Sequence, residues 1–476
     1  MKYDIVIIGA GPAGIFSALT LSNSNKNLKI LIIDKGNQLE RRKCPISNNK
    51  TDKCINCSSC SIMCGFGGAG AFSDGKFNIT NDFGGNLWKK IGLEKSIELQ
   101  KEVDSLNASY YIQRLEKLAK EANYPCYINN DFPKLFDSSE YLDIKSECLK
   151  NNLHLMEAKI RHLGTDKNYI ILKELFEKLK NNNVDFLFNT EISNIIKENN
   201  KWNIKSKVKD ISCDKLIIAV GRSGSKWLES VCDNLKIERK SNKVDIGVRV
   251  EIPFEVSKNL TDKLYESKIV FKTELYEDLV RTFCMNPRGI VVSENTNGII
   301  TVNGHSYEDK EKHTPNTNFA LLVSQEFTEP FNNSNEYGEN IARLSNMLGK
   351  GVIVQRFGDL IRCKRTTNGR LNKNTVVPTL KAEPGDLALV LPHRILEDIK
   401  ETIYALDSVM PGIKNDDTLL YGVEVKFYNN EVKVDNHLMA AENLYIIGDC
   451  SGITHSLSQA AASGLFVAED ILCNIE

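Results

Sequence analysis

The stretch DIVIIGAGPAGIFSALTLSNSNKNLKILIID, residues 4–34, decides the fold. Residues 4–8 are a short run of β-forming residues, too short for a helix, and they predict a strand. The turn GAGPAG, a helical segment at 15–21 and a second strand at 28–33 follow in that order. A strand, a glycine turn, a helix and a strand within about thirty residues form a unit that binds dinucleotides.

Each glycine of the turn has a mechanical reason. Gly9 permits the tight turn off the strand, Gly11 lets the backbone approach a pyrophosphate, and Gly14 lets the helix pack on the sheet. The helix N-terminus offers unpaired N–H groups and a partial positive charge to phosphates. Asp34, at the end of the second strand, can accept hydrogen bonds from the two hydroxyls of a ribose.

A second strand-like run near the other end of the chain favours FAD over NAD. Residues 444–449 read LYIIGD, and a helical segment, 457–472, follows. Asp449 would hold a ribityl hydroxyl, and the positive end of the helix would face the N1–O2 edge of a flavin. These two features disfavour a plain NAD-dependent dehydrogenase.

The predicted FAD site combines the first turn with three further segments. They are the glycine-rich block at 65–76, a strand at 215–220 that stops at a glycine, and the C-terminal pair of strand and helix. Candidate cofactor-binding residues are Gly9, Gly11, Pro12, Ala13, Gly14, Asp34, Lys35, Gly68, Ala69, Gly70, Ser73, Asp74, Gly75, Ile192, Gly221, Arg222, Gly448, Asp449, Gln459 and Ala460.

A cysteine-dense segment precedes the glycine-rich block. The run from Cys54 through Cys57 and Cys60 to Cys64 has the ligand spacing of a bacterial 4Fe–4S ferredoxin, with glycine in place of the usual following proline. Cys44 is an alternative ligand. Four thiolates suit zinc equally well, and a set of unligated thiols is a third interpretation. All three remain open.

Composition limits the range of functions. The chain has 476 residues, enough for two or three structural units, and 41% of them are hydrophobic. Its 61 basic and 62 acidic residues give no bulk field for nucleic acid or an anionic membrane. Neither a secretory leader nor a long apolar run is present, so a cytoplasmic location is expected, in which the 13 cysteines would stay reduced.

The predicted fold class is α/β, with a discontinuous FAD-binding Rossmann-like domain, a parallel sheet with helices, and a β-rich α+β cap or substrate domain. Alternating strands and polar turns indicate the cap. Its basic run at 362–365 could bind a carboxylate or phosphate of the substrate or of NAD(P)H. The expected boundaries are 1–43, 151–244 and 387–476 for the FAD domain, 44–83 for a cofactor loop, 84–150 for a helical insertion and 245–386 for the cap.

Six blocks of the sequence follow one another in a recognisable order. They are the glycine turn, CGFGGAGAFSDGK (64–76), RHLGTDK (161–167), IGVRVE (246–251), RTFCM (281–285) and LYIIGD (444–449). In this order they resemble the FAD-dependent dehydrogenase family of the glutathione-reductase-like FAD superfamily, which is mostly of unassigned substrate. The resemblance implies that a β-rich cap interrupts the FAD domain and that the flavin lies between them. Two segments depart from the family pattern, Asn286–Gly289 and Cys450–Ser456.

The resulting prediction is an FAD-dependent oxidoreductase of a small molecule. Electrons would arrive from NAD(P)H, from a ferredoxin or through the cysteine segment. Candidate catalytic residues are His455, Cys450 and Lys76; the histidine could donate a proton because imidazole titrates near neutral pH. The alternatives are a non-redox or methyl-transferring flavoprotein, for instance one that modifies RNA, and an electron-transfer module. The near-zero net charge counts against RNA.

Overall fold

The computed structural model describes residues 1–24, 26–45, 50, 55, 57–73, 75–121, 132–264, 266–296, 298–306 and 310–474. The chain divides into two compact units. Unit 1 comprises 1–137, 158–240 and 429–476, and unit 2 comprises 138–157 and 241–428. Each unit has its own large sheet.

Helices account for the longest elements. In the described residues they are α1 (Pro12–Asn23), α2 (Trp88–Ile91), α3 (Leu93–Glu121), α4 (Leu142–Lys150), α5 (Gly164–Asn181), α6 (Ser225–Leu235), α7 (Phe254–Thr261), α8 (Ser334–Gly349), α9 (Phe357–Ile361), α10 (Asn368–Leu371), α11 (His393–Leu406) and α12 (Leu457–Cys473). None of these described helices is long and apolar enough to cross a membrane.

Strands are short and numerous. They are β1 (Lys2–Ile8), β2 (Ile30–Ile33), β3 (Lys76–Ile79), β4 (Phe136–Asp137), β5 (Leu153–Leu155), β6 (Lys159–His162), β7 (Asp185–Leu187), β8 (Ile192–Glu198), β9 (Lys201–Ser206), β10 (Asp210–Ile218), β11 (Arg239–Lys240), β12 (Val244–Pro253), β13 (Ile269–Lys272), β14 (Leu279–Asn286), β15 (Ile290–Thr296), β16 (Ile299–His305), β17 (Asn316–Gln325), β18 (Ile353–Arg356), β19 (Glu383–Pro384), β20 (Leu419–Lys426), β21 (Glu431–Val432), β22 (Met439–Ala441) and β23 (Leu444–Ile446).

The large sheet of unit 1 is mainly parallel. Its order is β22-β23-β10-β1-β2-β7, and β8 and β9 extend it from β10. The strands β23, β10, β1, β2 and β7 run parallel to one another, so their carboxyl ends share one edge. The aliphatic side chains of β1, β2, β10 and β23 are buried, as expected for a parallel sheet covered on both faces, and those of the outer strand β7 are partly buried.

Helix α1 packs closely against α12. A Cβ at Gly464 would lie 2.2 Å from the Ala13 carbonyl oxygen, and the Ser17 hydroxyl donates to the Gly464 carbonyl at 3.0 Å. This contact joins the two ends of the chain within unit 1, because α12 follows the strand β23.

Unit 2 has an antiparallel sheet of order β19-β18-β20-β12-β17-β14-β13-β5, in which only β18 and β19 run parallel. Alternation along the central strand β12 gives the sheet two different faces. Val244 lies on an apolar face, where Gly338 of α8 approaches its side chain and that of Val425. Asp245 and Arg249 lie on the opposite face and are nevertheless fully buried.

The boundaries of the units differ from those expected from the sequence. Residues 387–428 lie in unit 2 because β20 pairs with β12 and β18. Residues 138–157 also lie there, because β5 pairs with β13. Helix α3, from the expected helical insertion, lies in unit 1 and contacts α5 and α12.

Candidate active site

The carboxyl ends of four neighbouring strands bring most of the predicted cofactor residues together. Gly9 follows β1, Asp34 follows β2, Gly221 lies just beyond β10, and Gly448 lies just beyond β23. In open α/β sheets ligands bind at this edge. The structure therefore places these sequence-predicted residues at one edge of one sheet.

The glycine turn has two positions that admit no side chain. Gly9 has a φ of +110°, and a Cβ there would lie 2.2 Å from the Ala219 carbonyl oxygen. A Cβ at Gly14 would lie 2.1 Å from the Gly9 carbonyl oxygen. Gly11 is different. Among the described atoms, a Cβ at Gly11 would have a single neighbour within 4 Å, the Cα of Gly68 at 4.0 Å. The space beside Gly11 is open.

The N-terminus of α1 begins at this open space. Gly11 is its N-cap residue and Pro12 its first helical residue. Within the described chain no side chain caps this end, and its first turn carries no acidic residue. The positive end of the helix is therefore available to a phosphate.

The glycine-rich block contacts the same turn. The Gly67 amide donates to the Ala10 carbonyl at 2.7 Å, and a Cβ at Gly68 would lie 3.0 Å from the Gly11 Cα. Asn168, which the sequence analysis missed, donates from Nδ2 to the Gly70 carbonyl at 2.7 Å.

The later part of the block forms a small turn. The Ser73 hydroxyl donates to the Gly70 carbonyl at 2.9 Å and accepts from the Gly75 amide at 3.2 Å. Ala69 lies in the short 3-10 turn Gly68–Phe72. Asp74 lies outside the described residues.

Asp34 holds two loops in place. Its Oδ2 accepts from the Ala10 amide at 2.8 Å, and its Oδ1 accepts from the Gly36 amide at 2.7 Å. Carboxylate oxygens can accept more than one hydrogen bond, so a ribose remains a feasible additional partner. Lys35, the next residue, donates from Nζ to the Ser223 carbonyl at 3.4 Å.

Asp449 and Arg222 form an ion pair at this edge, with 3.7 Å between Oδ2 and Nε. Both were sequence-predicted site residues. The other carboxylate oxygen of Asp449 accepts from the Thr454 hydroxyl at 3.1 Å. Gly448 has a φ of +69° and donates its amide to the Ser463 hydroxyl at 3.1 Å.

Gln459 was predicted to contact the cofactor, and its side chain forms hydrogen bonds with the backbone of the loop at 80–87. It is fully buried and donates from Nε2 to the carbonyls of Thr80, at 3.3 Å, and Phe83, at 3.2 Å. Its Oε1 accepts from the Leu87 amide at 3.4 Å. Gln459 therefore holds the loop at 80–87 against α12, because a buried amide must satisfy its donors and acceptor.

Three other predicted residues lie within regular elements. Ala460 is buried inside α12, and Ile192 begins β8, where its carbonyl accepts from Trp227 Nε1 at 2.8 Å. Lys76 begins β3, opposite His162 of β6.

Cys450 does not suit catalysis. Its thiol is 1% exposed and donates to the Ile447 carbonyl at 3.1 Å. Burial raises the pKa of this thiol to about 12, so it is not a thiolate at neutral pH. The sequence alone did not reveal that the loop after β23 buries this side chain.

His455 lies on the loop between Gly452 and α12. Its backbone amide donates to the Gly84 carbonyl at 2.8 Å, and its side chain is half-buried. A Cβ at Gly84 would lie 2.7 Å from the Ser456 hydroxyl oxygen, so the two segments are closely packed. The backbone at His455 is thus held in a defined position.

The cysteine segment gives no support to a metal centre. Among the described residues no group of three or more His, Cys, Asp or Glu side chains could hold a metal. Cys57 is exposed, Cys60 is half-buried, and buried Cys64 has its sulfur 3.7 Å from the Ser223 hydroxyl. Cys44 is half-buried, and Cys54 lies outside the described residues.

Arg42 anchors this segment and was missed by the sequence analysis. It is 4% exposed, and its three nitrogens donate to the carbonyls of Ser61, Ile62 and Phe66. Burial lowers the pKa of this guanidinium to about 10, yet it remains charged at neutral pH. The basic residues at 41–43 gave no local signal that one of them would be buried.

The unit 1 residues fit FAD on three counts. Space is open beside Gly11, the N-terminus of α1 has no capping side chain in the described chain, and an acid follows each of β2 and β23. In addition, the Ser458 hydroxyl in the first turn of α12 is 1% exposed and has no hydrogen-bond partner among the described residues. A buried hydroxyl without a partner is expected where a bound group is missing.

Comparisons with known proteins agree with this fit. A family model described as "FAD-dependent protein, C-terminal domain-like" matches residues 243–427, and one described as "Pyridine nucleotide-disulphide oxidoreductase" matches residues 142–254. An uncharacterized protein of Clostridium beijerinckii is 26% identical over 498 residues, covering 99% of this chain and 81% of the relative.

Solved structures with similarity to the chain include two oxidases. Glycine oxidase from Bacillus cereus has 12% identity and a TM-score of 0.37, with 100% of this chain and 96% of that chain covered. L-α-glycerophosphate oxidase from Mycoplasma pneumoniae, with FAD bound, has 13% identity and a TM-score of 0.38, with the same coverage. Together the two family models match residues 142–427, and they support an FAD-dependent oxidoreductase of unassigned substrate.

Proposed function

We propose that the chain holds FAD along the carboxyl edge of the unit 1 sheet and catalyses the oxidation or reduction of a small molecule. One observation carries this proposal. The ends of β23, β10, β1 and β2 bring two glycine turns, two acids and the uncapped start of α1 to the same edge. A dinucleotide needs all of these features, because it presents phosphates, sugar hydroxyls and flat rings together.

Each part of the edge has a separate role in this proposal. The amides of Ala13 and Gly14 would bind the phosphates, helped by the dipole of α1. Asp34 would accept from the ribose hydroxyls, and Asp449 from a ribityl hydroxyl. Arg222, already 3.7 Å from Asp449, would orient that carboxylate and balance its charge.

FAD, when bound, supplies the hydride chemistry. The chain must then provide or accept a proton at the substrate, and His455 is the candidate for that task. Its loop is fixed by the contacts with Gly84, which would keep the imidazole in one place. We expect His455→Gln to lower kcat by about a hundredfold or more while the flavin content stays unchanged.

The decisive experiment is the release of the cofactor. The full chain, expressed with ample riboflavin, should be yellow and should release one FAD on denaturation. Gly11→Ala, which adds a methyl group where the pyrophosphate would lie, should fold and lose most of the flavin. A colourless wild-type chain that releases no FAD would overturn the proposal.

The electron donor is a second part of the proposal, in which NAD(P)H or a reduced ferredoxin reduces the flavin. Anaerobic addition of NADH, NADPH or reduced ferredoxin to the yellow protein separates these donors by which one bleaches it. Bleaching by none of them would contradict this part and would favour reduction by the substrate itself.

A further inference from the structure

The polar face of the unit 2 sheet contains more positive charge than its own acids balance. In an antiparallel pair, directly opposite residues lie on the same face. Asp245 of β12 lies opposite Lys426 of β20 and opposite Ser324 of β17. Arg281 of β14 lies opposite Leu322, which itself lies opposite Gly247 of β12. Asp245, Lys426 and Arg281 therefore share one face.

Asp245 is the buried acid that contacts two of these cations directly. It accepts from Ser324 at 2.6 Å, from Tyr428 and from Arg281 at 3.3 Å, and it lies 3.8 Å from the Lys243 ammonium. Lys243, Arg281 and Lys426 thus surround one carboxylate. Within the described chain Lys426 has no ion pair within 4.0 Å, although it is only partly exposed.

Neighbouring charges do not cancel this excess. Lys268 is paired with Glu266 at 3.5 Å, and Arg249 is hydrogen-bonded to Glu424 at 3.1 Å, so each of these acids already has a cationic partner. Glu424 also interacts electrostatically with Lys426, but burial raises the pKa of this carboxyl to about 7, so it compensates Lys426 only in part. Glu326, which lies near Lys243, is exposed to solvent. A partly buried excess of positive charge is costly unless an anion compensates it.

The ring of Phe283 lies beside both cations. The Arg281 guanidinium carbon is 4.2 Å and the Lys426 nitrogen 4.5 Å from its centroid. Phe283 packs with Ala320 and Leu322 in a small apolar cluster on the same face. The Arg281 Nε–H is buried and has no acceptor among the described residues. The Arg281 and Lys426 donors thus lie next to an apolar surface formed by Phe283, Ala320 and Leu322.

We propose that this face of unit 2, at Arg281, Lys426 and Phe283, binds the carboxylate of a small acid whose remaining part is apolar. Two oxygens of a planar carboxylate match a guanidinium N–H and an ammonium. A phosphate would leave oxygens against Phe283 and Leu322, which offer no hydrogen bond. The identification of this acid as the substrate rests on the proposed function. The binding of the acid to this face does not.

The lowered pKa of Lys426, which is caused by burial and by the Arg281 charge, supports this proposal. These two causes lower the pKa of Lys426 to about 8, so at neutral pH it is charged but destabilised. A bound carboxylate would relieve that destabilisation, which gives the anion a reason to bind here rather than at an exposed lysine.

The test uses the FAD-loaded full chain and isothermal titration with benzoate, benzamide and inorganic phosphate. Benzoate should bind, and benzamide, which has the same shape without the charge, should bind at least about tenfold more weakly. Lys426→Met should weaken benzoate binding by about tenfold or more. Lys258→Met removes an equal charge from the exposed surface of α7 and should leave binding unchanged.

Each contrary result overturns the inference. Equal binding of benzamide and benzoate would show that the negative charge of the ligand is not recognised. Tighter binding of phosphate than of benzoate would show that the site does not prefer a carboxylate. Unchanged benzoate binding in Lys426→Met would show that benzoate binds elsewhere. The comparison of benzoate with benzamide needs no variant, so it holds even if Lys426→Met fails to fold. Flavin content measured on the same sample separates the two proposals. Flavin without benzoate binding overturns only this inference, and benzoate binding without flavin overturns only the proposed function.

Discussion

The two sheets of this chain present polar groups in opposite ways. At the edge of the unit 1 sheet, the groups offered to a ligand are mostly backbone amides in glycine turns, and only a few charged side chains accompany them. On the face of the unit 2 sheet, the groups are charged side chains such as Arg249, which is fully buried among Asn318, Glu424 and the Cys284 carbonyl.

This difference predicts how each unit responds to mutation. A backbone site depends on conformation, so the damaging substitutions add a Cβ where none fits. A side-chain site depends on matched charges, so the damaging substitutions remove one partner and leave the other buried. The edge of the unit 1 sheet should therefore be sensitive at glycines and tolerant at charges, and the polar face of the unit 2 sheet should show the reverse.

The largest effect is expected at Gly9. Gly9→Ala forces a residue with a side chain to a φ of +110° and places a methyl carbon 2.2 Å from the Ala219 oxygen. We expect at least about 2–3 kcal/mol of lost stability, together with loss of the flavin. Urea denaturation and flavin absorbance measure both. Gly11→Ala is the matched control and should keep its stability; wild-type stability in Gly9→Ala would break the comparison.

Arg249→Met should be nearly as damaging in unit 2. It leaves Glu424 without its partner, and Asn318 and the Cys284 carbonyl lose their donor. We expect a loss of about 3–5 kcal/mol in the free energy of unfolding. Arg362→Met removes an exposed pair with Asp416 and should cost much less, because exposed ion pairs contribute little to stability. Equal costs for the two variants would contradict the side-chain rule for unit 2.

Asp398 should make the stability of unit 2 depend on pH. Burial, together with the neighbouring Asp278 carboxylate, raises the pKa of Asp398 from 3.8 to about 7. Between these values the folded chain keeps a proton that the unfolded chain has lost, so stability falls as the pH rises. Asp398→Asn should remove part of this fall.

Urea denaturation at several pH values between 4 and 8 measures this slope. Glu424, whose pKa burial also raises to about 7, should account for a remaining part. Asp416→Asn changes an exposed carboxyl of the same unit and serves as the control. If Asp398→Asn has the wild-type slope, the buried carboxyl does not carry the extra proton.

The smallest effect is expected at Arg222, a charged residue of the unit 1 edge. Its side chain is 57% exposed, and its ion pair with Asp449 spans 3.7 Å. Arg222→Met should change stability by less than about 1 kcal/mol and weaken FAD binding only a few-fold. Flavin titration into the apoprotein measures this. Complete loss of flavin would show that unit 1 depends on charges as much as unit 2 does.

Sequence predicted the unit 1 edge well because its requirements are local. A glycine turn after an apolar strand is visible in consecutive residues, and so are the acids at Asp34 and Asp449. The surroundings of Gln459 and Cys450 were not predicted because they include distant segments, the loop at 80–87 for Gln459 and the end of β10 for Cys450. Arg42 and Thr454 were missed for the same reason.

The charged face of unit 2 was not predicted because it depends on strand register. The segment IGVRVE shows the alternation, but it does not reveal that Asp245 lies opposite Lys426 or that Arg281 lies two strands away. The basic run at 362–365 attracted attention instead, and there Arg362 is paired with Asp416 and Arg365 donates to the Pro384 carbonyl.

The position of β23 has a consequence during synthesis on the ribosome. Residues 216–218 of β10 pair with β1 on one side, but their neighbour on the other side is residues 444–446, and unit 2 occupies most of the intervening chain. At translation rates of about 5–20 residues per second, this apolar strand edge would wait roughly ten seconds or longer for its partner. During that interval the exposed strand edge can pair with other nascent chains and aggregate. A cell that overproduces the protein at a high rate should therefore accumulate inclusion bodies unless chaperones are co-produced.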